Sequence, residues 1–482
     1  MITRGSVISS LIWKFLERSS VQLVNFILTI VLARILTPED YGLIALVVVF
    51  INLASVFVEG GLNTALVQKK KVDQLDFSTI FYTSIAFAIS LYVILFFCAP
   101  VISSFYDNES LISVVRILGL SLVLYAINSV QKAFLTKKLL FKKLFYSSLG
   151  AVVISGCIGI IMALQDCGVW ALVTQSIVSQ FSVTIIMWYT VKWRPTLEFS
   201  IERFIGLFDF GWKIFASNLL TTTFQNVRSL IIGKIYSAES LAFFDRGKQF
   251  PSLIVDNINS SIQSVLFPVL SESQDNRDTV KAMIRRSIKT SSLIIFPIIF
   301  GIAILAEPSV KFLLTDKWLG AVPFIQIFCM AYLFMPMQIA NLEAIKSLGY
   351  SGTSLKLELI KKCFELAILL ITIPISVQAI AWGIVVYNGL CLFINAKPNR
   401  KLLNYGVKEQ VQDIIPNLGV SFLMGLVLRA LLFIPISSGY ALVIGVIVGI
   451  VVYIGLNMLF KVEAFYYIME MVGPKLKRYY RQ

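Results

Sequence analysis

The chain has no histidine in 482 residues and little charge, 14% of the total, against 57% hydrophobic residues. The missing histidine removes the commonest metal ligand and the one side chain that ordinarily titrates near neutral pH. Any proton-linked step therefore falls to carboxylates. Cysteine is sparse too: Cys98, Cys157, Cys167, Cys329, Cys363 and Cys391 stand singly, mostly in apolar runs, without the paired spacing of a zinc or redox site. They read as small buried hydrophobes. No phosphate-binding loop of the nucleotide-hydrolysing type occurs, so no built-in motor and no cofactor is expected. A soluble domain carries about a quarter charged residues; this chain has no stretch polar enough for a sizeable one.

What is present is a series of apolar runs of roughly 20 residues, long enough to cross a hydrocarbon core of about 30 Å, with a mean hydropathy of +0.82. The first run follows Arg4 and has the outline of a secretory signal. Lys14, Glu17, Arg18, Gln22 and Asn25 interrupt it and no small-residue cleavage site follows, so it reads as a retained helix. Fourteen crossings are expected, centred near residues 20, 54, 88, 122, 154, 180, 220, 256, 296, 330, 365, 387, 423 and 450. Twelve is the alternative, if the short break Pro374 to Ala379 is re-entrant.

The net charge of +15 would suit a nucleic-acid partner if it were clustered on one soluble face, but it alternates between connections. One set holds Lys69 to Lys71, then Lys137, Lys138, Lys142 and Lys143, then Lys192, Arg194 and Arg203. Arg277, Lys281, Arg285 and Arg286 follow, with Lys346 and Lys356, then Lys397, Arg400, Lys401 and Lys408, and the tail Lys475, Lys477, Arg478 and Arg481. The other set holds mainly Asp107, Glu109 and Asp166, the mixed group from Glu307 to Lys317, and nearly uncharged turns. This is the positive-inside pattern. It predicts a multi-pass membrane protein with both termini in the cytoplasm and no nucleic-acid partner. In the tail, Tyr479 and Tyr480 beside the basic residues suggest contact with anionic lipid.

The chain is internally duplicated. Leu32 to Tyr41 reappears 200 positions later as Ile232 to Leu241: an apolar helix ending in a basic residue (Arg34, Lys234), a turn with a matching glutamate (Glu39, Glu239), and a second apolar helix. An even number of crossings precedes the second copy, so the repeats share one orientation, related by an axis along the membrane normal. The expected organisation is a six-helix lobe over 1–200, a second over 201–396, and a basic linker, two-helix hairpin and tail over 397–482.

The chemistry lies in polar residues inside the crossings. In the first, Lys14, Arg18, Gln22, Asn25 and Thr29 recur at helical spacing; in the second, Asn52, Ser55, Glu59 and Asn63 do so. The seventh repeats the pattern with Asp209, Lys213, Ser217, Thr221, Gln225 and Arg228, and the eighth with Asp245, Gln249, Ser252, Asp256, Asn259 and Gln263. A charge at mid-bilayer costs at least about 2.5 kcal/mol, so aligned charges need partners or water. Lys14, Arg228 and Asp245 lie near helix ends, where snorkelling or capping competes with function. For Arg18, Glu17 and Arg116, helix packing, a local ion pair or an interfacial role competes likewise. The basic residues suit an anionic cargo, and Asn25, Asn218, Gln225, Asn226 and Asn259 offer donors and acceptors for sugars. Glu17, Glu59 and Asp256 are charge-balancing or proton- or sodium-coupling candidates. Pro251 inside the eighth helix, and Gly60 and Gly61 beside Glu59, mark places for a kink or close approach.

The run Leu32 to Gly42, with its Pro38-Glu39-Asp40-Tyr41-Gly42 turn, and the run Glu59-Gly60-Gly61-Leu62 to Ala65-Leu66-Val67-Gln68 carry a resemblance. So do Phe210-Gly211-Trp212 and Phe243 with Asp245-Arg246-Gly247, which add Arg246 to the candidate residues. Over about residues 1 to 400 the chain resembles the polysaccharide exporters (O-antigen, colanic-acid and teichuronic-acid type) of the multidrug, oligosaccharidyl-lipid and polysaccharide flippase superfamily. The resemblance implies an all-α carrier of two pseudo-symmetric six-helix lobes in a V, with two further helices. It implies alternating-access transfer of an undecaprenyl-diphosphate-linked oligosaccharide from the inner to the outer leaflet of the bacterial cytoplasmic (inner) membrane, coupled to a cation gradient and serving a polymerase and assembly proteins. Arg18, Arg116, Lys213, Arg228 and Arg246 would then meet the diphosphate, and Asn25, Asn218, Gln225 and Asn259 the sugars. A multidrug exporter of the related two-lobe type is the alternative. A membrane glycosyltransferase lacks a credible acidic catalytic loop, and a passive scaffold would not need four polar faces.

Overall fold

In hydrocarbon every backbone N–H and C=O must find its partner within the segment or a closed sheet, and this chain takes the helical solution. A computed structural model describes residues 4–59, 61–69 and 72–470, and among these residues there is no strand. Gly60, Lys70, Lys71 and the tail residues Lys475, Lys477, Arg478, Tyr479, Tyr480 and Arg481 lie outside the described residues.

Two compact units, Met1–Ala242 and Phe243–Gln482, divide the chain. The first holds α1 (Arg4–Ile35), α2 (Pro38–Glu59), the short α3 (Leu62–Gln68), α4 (Gln74–Tyr106), α5 (Ser110–Gly119), α6 (Ser121–Lys137), α7 (Phe141–Leu164), α8 (Val169–Thr190) and α9 (Ile201–Ile235). Then α10 (Ala238–Glu272) leads into the second, with α11 (Arg277–Ile304), α12 (Ala306–Leu313), a 3-10 turn (Asp316–Ala321), α13 (Val322–Tyr332), α14 (Met335–Ser347), α15 (Ser351–Thr372), α16 (Val377–Leu403), α17 (Val407–Leu431) and α18 (Ser438–Leu459).

Each of the fourteen expected centres falls within a helix, but only 12 segments among the described residues are both long and apolar enough to cross a membrane. The other two long helices are α9, of 35 residues, and α15, of 22. At 1.5 Å per residue both exceed the hydrocarbon thickness. Both are polar: α9 carries Asp209, Lys213 and Arg228, and α15 carries Lys356, Glu358, Lys361, Lys362 and Glu365.

The duplication is visible in how the helices end. α1 and α9 stop at Ile35 and Ile235; α2 and α10 begin at Pro38 and Ala238. In each copy a hydroxyl caps the second helix. Thr37 Oγ1 accepts from the Asp40 amide at 3.3 Å, and Ser237 Oγ from the Ser240 amide at 3.0 Å. Asp40 completes the first cap by accepting from the Thr37 amide at 3.0 Å.

In the first unit α7 packs between α1 and α8, while α2 packs on α9. Leu66, Ile80, Val130, Met187 and the rings of Phe77, Phe81 and Trp193 form its core near the end of α3. An ion-pair network closes the same end. The buried Asp76 carboxylate binds Lys69 at 2.7 Å and lies 3.6 Å from Arg203, which also reaches Asp73 at 3.0 Å. Asp73 caps α4, and the Asp76 backbone amide it accepts from, with Arg203 and Lys69 nearby, holds its carboxyl below the usual carboxylate range.

Two glycines let α2 and its continuation approach the second copy. A Cβ on Gly42 would lie 1.9 Å from the Ala238 carbonyl oxygen. Gly61, at φ +69°, would bring one to 2.2 Å from the Gly211 carbonyl oxygen. Neither backbone oxygen can swing aside as a flexible side chain would. Gly61→Ala is therefore expected to destabilise the protein by about 1–3 kcal/mol, read as a lower melting temperature in detergent. Gly206→Ala, whose methyl would meet nothing within 4 Å, should leave the melting temperature unchanged; coincident curves for all three proteins would refute the close approach.

Candidate functional site

The polar stripe of α2 faces the polar stripe of α9. Asn52, Ser55, Val56 and Glu59 line one side of a cavity of about 300 Å³, and Asn218, Thr221, Thr222, Gln225 and Asn226 line the other. Helical spacing explains the alignment: residues three, four and seven apart share a face. The hydroxyls and amides are partly tied back to their own helices. Ser55 donates to the Asn52 carbonyl at 2.8 Å, Thr221 to Ser217 at 2.9 Å and Asn226 to Thr222 at 2.7 Å. These bonds leave oxygen lone pairs free to accept from a guest or from water.

Glu59 is the one charged group in the lining. Behind it, Tyr125 of α6 donates its hydroxyl to the Glu59 carboxylate. Lys132, one helical stretch further along α6, sits 5.5 Å from the Tyr125 ring centre and has Glu59 and Glu17 as its charged neighbours. α2 and α6 thus bring a carboxylate, a phenol and an ammonium together, with Glu17 of α1 within electrostatic reach of the ammonium. The interior nearby holds further polar atoms without protein partners, including both ends of the Gln131 amide and Asn63 Oδ1. Among the described residues no group of three or more Asp, Glu, Cys or His is placed to hold a metal ion.

Of the sequence-predicted residues, Glu59, Asn218 and Gln225 meet in this cavity, and Glu17 approaches from behind through Lys132. Lys213 and Arg228 lie on α9 to either side of the lining, Lys213 exposed and Arg228 half-buried; Lys213 has no carboxylate partner among the described residues. Arg18 and Asn25 are exposed on α1. Arg116 is elsewhere: its guanidinium lies 4.2 Å from the Phe96 ring centre and it donates to the Phe96 carbonyl at 3.4 Å. Arg246, Asp256 and Asn259 follow one another along α10. Arg246 is held by Gln249 and stacks 5.7 Å from the Trp318 ring centre. Asp256 is exposed and neighbours Tyr332, and Asn259 is buried with its amide nitrogen unpartnered.

Two features escaped the sequence reading. Lys132 is a lone base between Val130 and Ala133 in an apolar run, and its isolation was the available signal. The second is on α15 and α16. Glu358 pairs with Lys361 at 2.5 Å and Glu365 with Lys362 at 2.7 Å, with Lys361 and Glu365 buried and Cys391 close by. Opposite charges three residues apart inside an expected crossing were the signal there.

Residues 31–323 match the family profile described as Polysaccharide biosynthesis protein. The chain is 26% identical over 277 residues to the teichuronic acid biosynthesis protein TuaB of Bacillus subtilis, spanning 57% of each chain. It is 24% identical to the succinoglycan biosynthesis transport protein ExoT of Rhizobium meliloti, spanning 64% of this chain and 63% of the relative. It is 22% identical to the lipopolysaccharide biosynthesis protein WzxC of Escherichia coli, spanning 68% and 67%. The matches thus cover little more than half to two thirds of these relatives. In fold the chain is similar to an inward-closed structure of the lipid II flippase MurJ, with a TM-score of 0.72 at 15% identity over 94% of this chain and 98% of that one. It is also similar to an inward-facing multidrug-resistance MATE transporter, with a TM-score of 0.61 at 13% identity over 81% and 98%.

If the α2–α9 cavity is wet, cysteines placed in it must react with a charged thiol reagent. In a background lacking the native cysteines, Ser55→Cys, Thr221→Cys and Gln225→Cys are expected to label at least about tenfold faster than Val153→Cys on the apolar outside of α7, because thiolate forms only where water reaches. Equal, slow labelling at all four positions would show a dry cavity.

Proposed function

The chain belongs to the polysaccharide biosynthesis protein family, and from that premise we propose that it is a polysaccharide exporter of the multidrug, oligosaccharidyl-lipid and polysaccharide flippase superfamily and flips a lipid-linked oligosaccharide across the cytoplasmic membrane. It is a carrier and not an enzyme. The observation that carries this reading is a cavity rich in amides and hydroxyls within a membrane unit otherwise built of apolar helices. A glycan cannot shed its hydration into hydrocarbon unless other donors and acceptors replace the water. Asn52, Asn218, Gln225 and Asn226 supply both, and Ser55, Thr221 and Thr222 add hydroxyls.

In this proposal the cargo is an undecaprenyl-diphosphate-linked oligosaccharide moving from the inner to the outer leaflet by alternating access. Its diphosphate engages basic residues beside the amides, with Lys213 and Arg18 first and Arg228 next. Arg116 and Arg246, each already stacked on an aromatic ring, are the less available of the basic candidates. Glu59, backed by Tyr125, Lys132 and Glu17, is the proton- or sodium-coupling group, and Asp256 its counterpart on α10. Fourteen crossings in two lobes forming a V over 1–200 and 201–396, a final hairpin in 397–482 that shelters the lipid tail, and both termini in the cytoplasm belong to the same proposal. So does delivery to a polymerase and assembly proteins.

One observation favours a second reading. The only charged lining residue is a carboxylate, Glu59, which suits a cationic drug. Lys132 and the Tyr125 hydroxyl already offset that charge, so the saccharide reading stands ahead of it.

The test is transport in reconstituted vesicles. Lys213→Ala is expected to slow flipping of a lipid-linked oligosaccharide by about tenfold to a hundredfold, the range for one hydrogen bond to a charged group, with insertion intact. Glu59→Gln and Asp256→Asn are expected to flatten the dependence of the rate on pH or sodium. Wild-type rates in all three folded variants would overturn the site assignment. Transport of a lipophilic cation, with none of the saccharide, would replace the cargo.

A further inference from the structure

Helix α18 ends at Leu459, capped by Phe460, and the chain reverses at Lys461, which takes the left-handed conformation at φ +48°. The helical residues 463–470 then fold back over α11 and α17, with Val462 and Ala464 buried against Leu293 and Val420. This return creates two adjoining cavities. One, of about 710 Å³, is lined by four basic residues, Arg285, Arg286, Lys289 and Lys461, and two carboxylates, Glu463 and Glu470. The other, of about 410 Å³, runs along α17 past Ile415, Gly419, Leu423 and Phe460. Lys461 and Glu463 border both.

The charges are not equally engaged. Arg285 forms a two-pronged pair with the buried Asp413 at 2.7 and 2.8 Å. Lys289 bridges Glu463 at 2.7 Å and Asp413 at 3.5 Å. Arg286 and Lys461 have no carboxylate within pairing distance among the described residues. Arg286 is nevertheless held in place, donating to the Tyr467 hydroxyl at 3.2 Å with its guanidinium 4.3 Å from that ring centre. Beside these two cations the apolar groove is open: Ile415, Gly419 and Leu423 recur every four residues on one face of α17, all exposed, and a Cβ on Gly419 would meet nothing within 4 Å.

A polar pocket with two uncommitted cations, joined through one lysine to an apolar channel on a membrane-length helix, has the amphipathic form of a phospholipid. We propose that this corner of the second unit is a binding site for an anionic membrane phospholipid. Its phosphodiester pairs with Arg286 and Lys461, and an acyl chain lies along Ile415, Gly419 and Leu423. The neighbouring Arg277, Lys281 and Lys408 add to the positive field that draws anionic headgroups to such surfaces. The bound lipid holds residues 463–470 against α11 and α17. None of its residues lines the α2–α9 cavity, but its groove lies on the hairpin that the transport reading assigns to the cargo's lipid tail, so competition separates the two ligands.

The experiment is lipid titration of the delipidated full-length protein, read by native mass spectrometry. Phosphatidylglycerol is expected to bind at least about tenfold more tightly than phosphatidylcholine. Combining Arg286→Ala with Lys461→Asn, which tolerates the left-handed backbone, is expected to weaken phosphatidylglycerol binding roughly thirtyfold, as two basic contacts imply. Gly419→Leu, filling the open groove, is expected to weaken it about tenfold with the melting temperature unchanged. Unaltered binding in both variants would overturn the proposal. Competition by inorganic phosphate as effective as that by phosphatidylglycerol would reduce the site to a plain anion pocket and overturn the lipid. Preferential displacement by undecaprenyl diphosphate would transfer the site to the cargo and overturn the phospholipid assignment.

Discussion

A polar group left without a partner in hydrocarbon costs several kcal/mol, and that penalty shapes this chain at every scale. It selects helices throughout the described residues. It also explains how hydroxyls survive inside them: Thr83, Ser147, Ser176, Thr184 and Thr190 each donate to the carbonyl four residues earlier. Charges obey the same rule. Lys137 gives its ammonium to the Val67 and Lys69 carbonyls at the end of α3, and Lys143 to the Thr190 carbonyl at 2.6 Å at the end of α8. Cations at helix C-termini also match the helix dipole. Several residues that appear as a topological charge bias in the sequence are therefore structural caps as well.

The duplication determines where exceptions to the rule accumulate. Corresponding helices of the two copies carry the polar stripes, and α9, from the second copy, packs on α2, from the first. The contact works because the backbones approach closely at Gly42 and Gly61. Between those glycines the stripes meet, and the mutual exposure of Asn52, Ser55 and Glu59 to Asn218, Thr221 and Gln225 leaves a cavity instead of a packed seam. Glycine at the ends of the contact and small or amide side chains in its middle produce close approach and polar space on one pair of helices.

Much of this was legible in one-dimensional patterns. Apolar runs located the helices, and the Thr37 and Ser237 turns gave their joints. Helical spacing put Thr221 and Gln225 on one face. The patterns could not say which stripe faces which, because that depends on helix packing between residues more than a hundred positions apart. Arg116 illustrates the ambiguity: a base within a crossing reads equally as cargo ligand or as a side chain stacked on its own neighbour, and here it lies on Phe96. Lys132 and the α15 pairs were invisible for the opposite reason. Hydropathy averages over a window, so one buried lysine among apolar residues vanishes into it, while five charges in 22 residues make α15 resemble a surface helix. Charge pairing at spacing three distinguishes the two cases, since i,i+3 partners neutralise each other before either enters hydrocarbon.

The same neutralisation bears on how a carboxylate such as Glu59 can act. A charged side chain in hydrocarbon is costly unless partners or water meet it. Glu59 has a mixed environment: a phenol hydroxyl donates to it, an ammonium stands beyond the phenol, and a polar cavity opens on the other side. Its hydrogen-bonding partner lies behind it, and the cavity opens in front. Lys132 has both Glu59 of α2 and Glu17 of α1 as charged neighbours, so a single ammonium serves carboxylates on two helices of the unit.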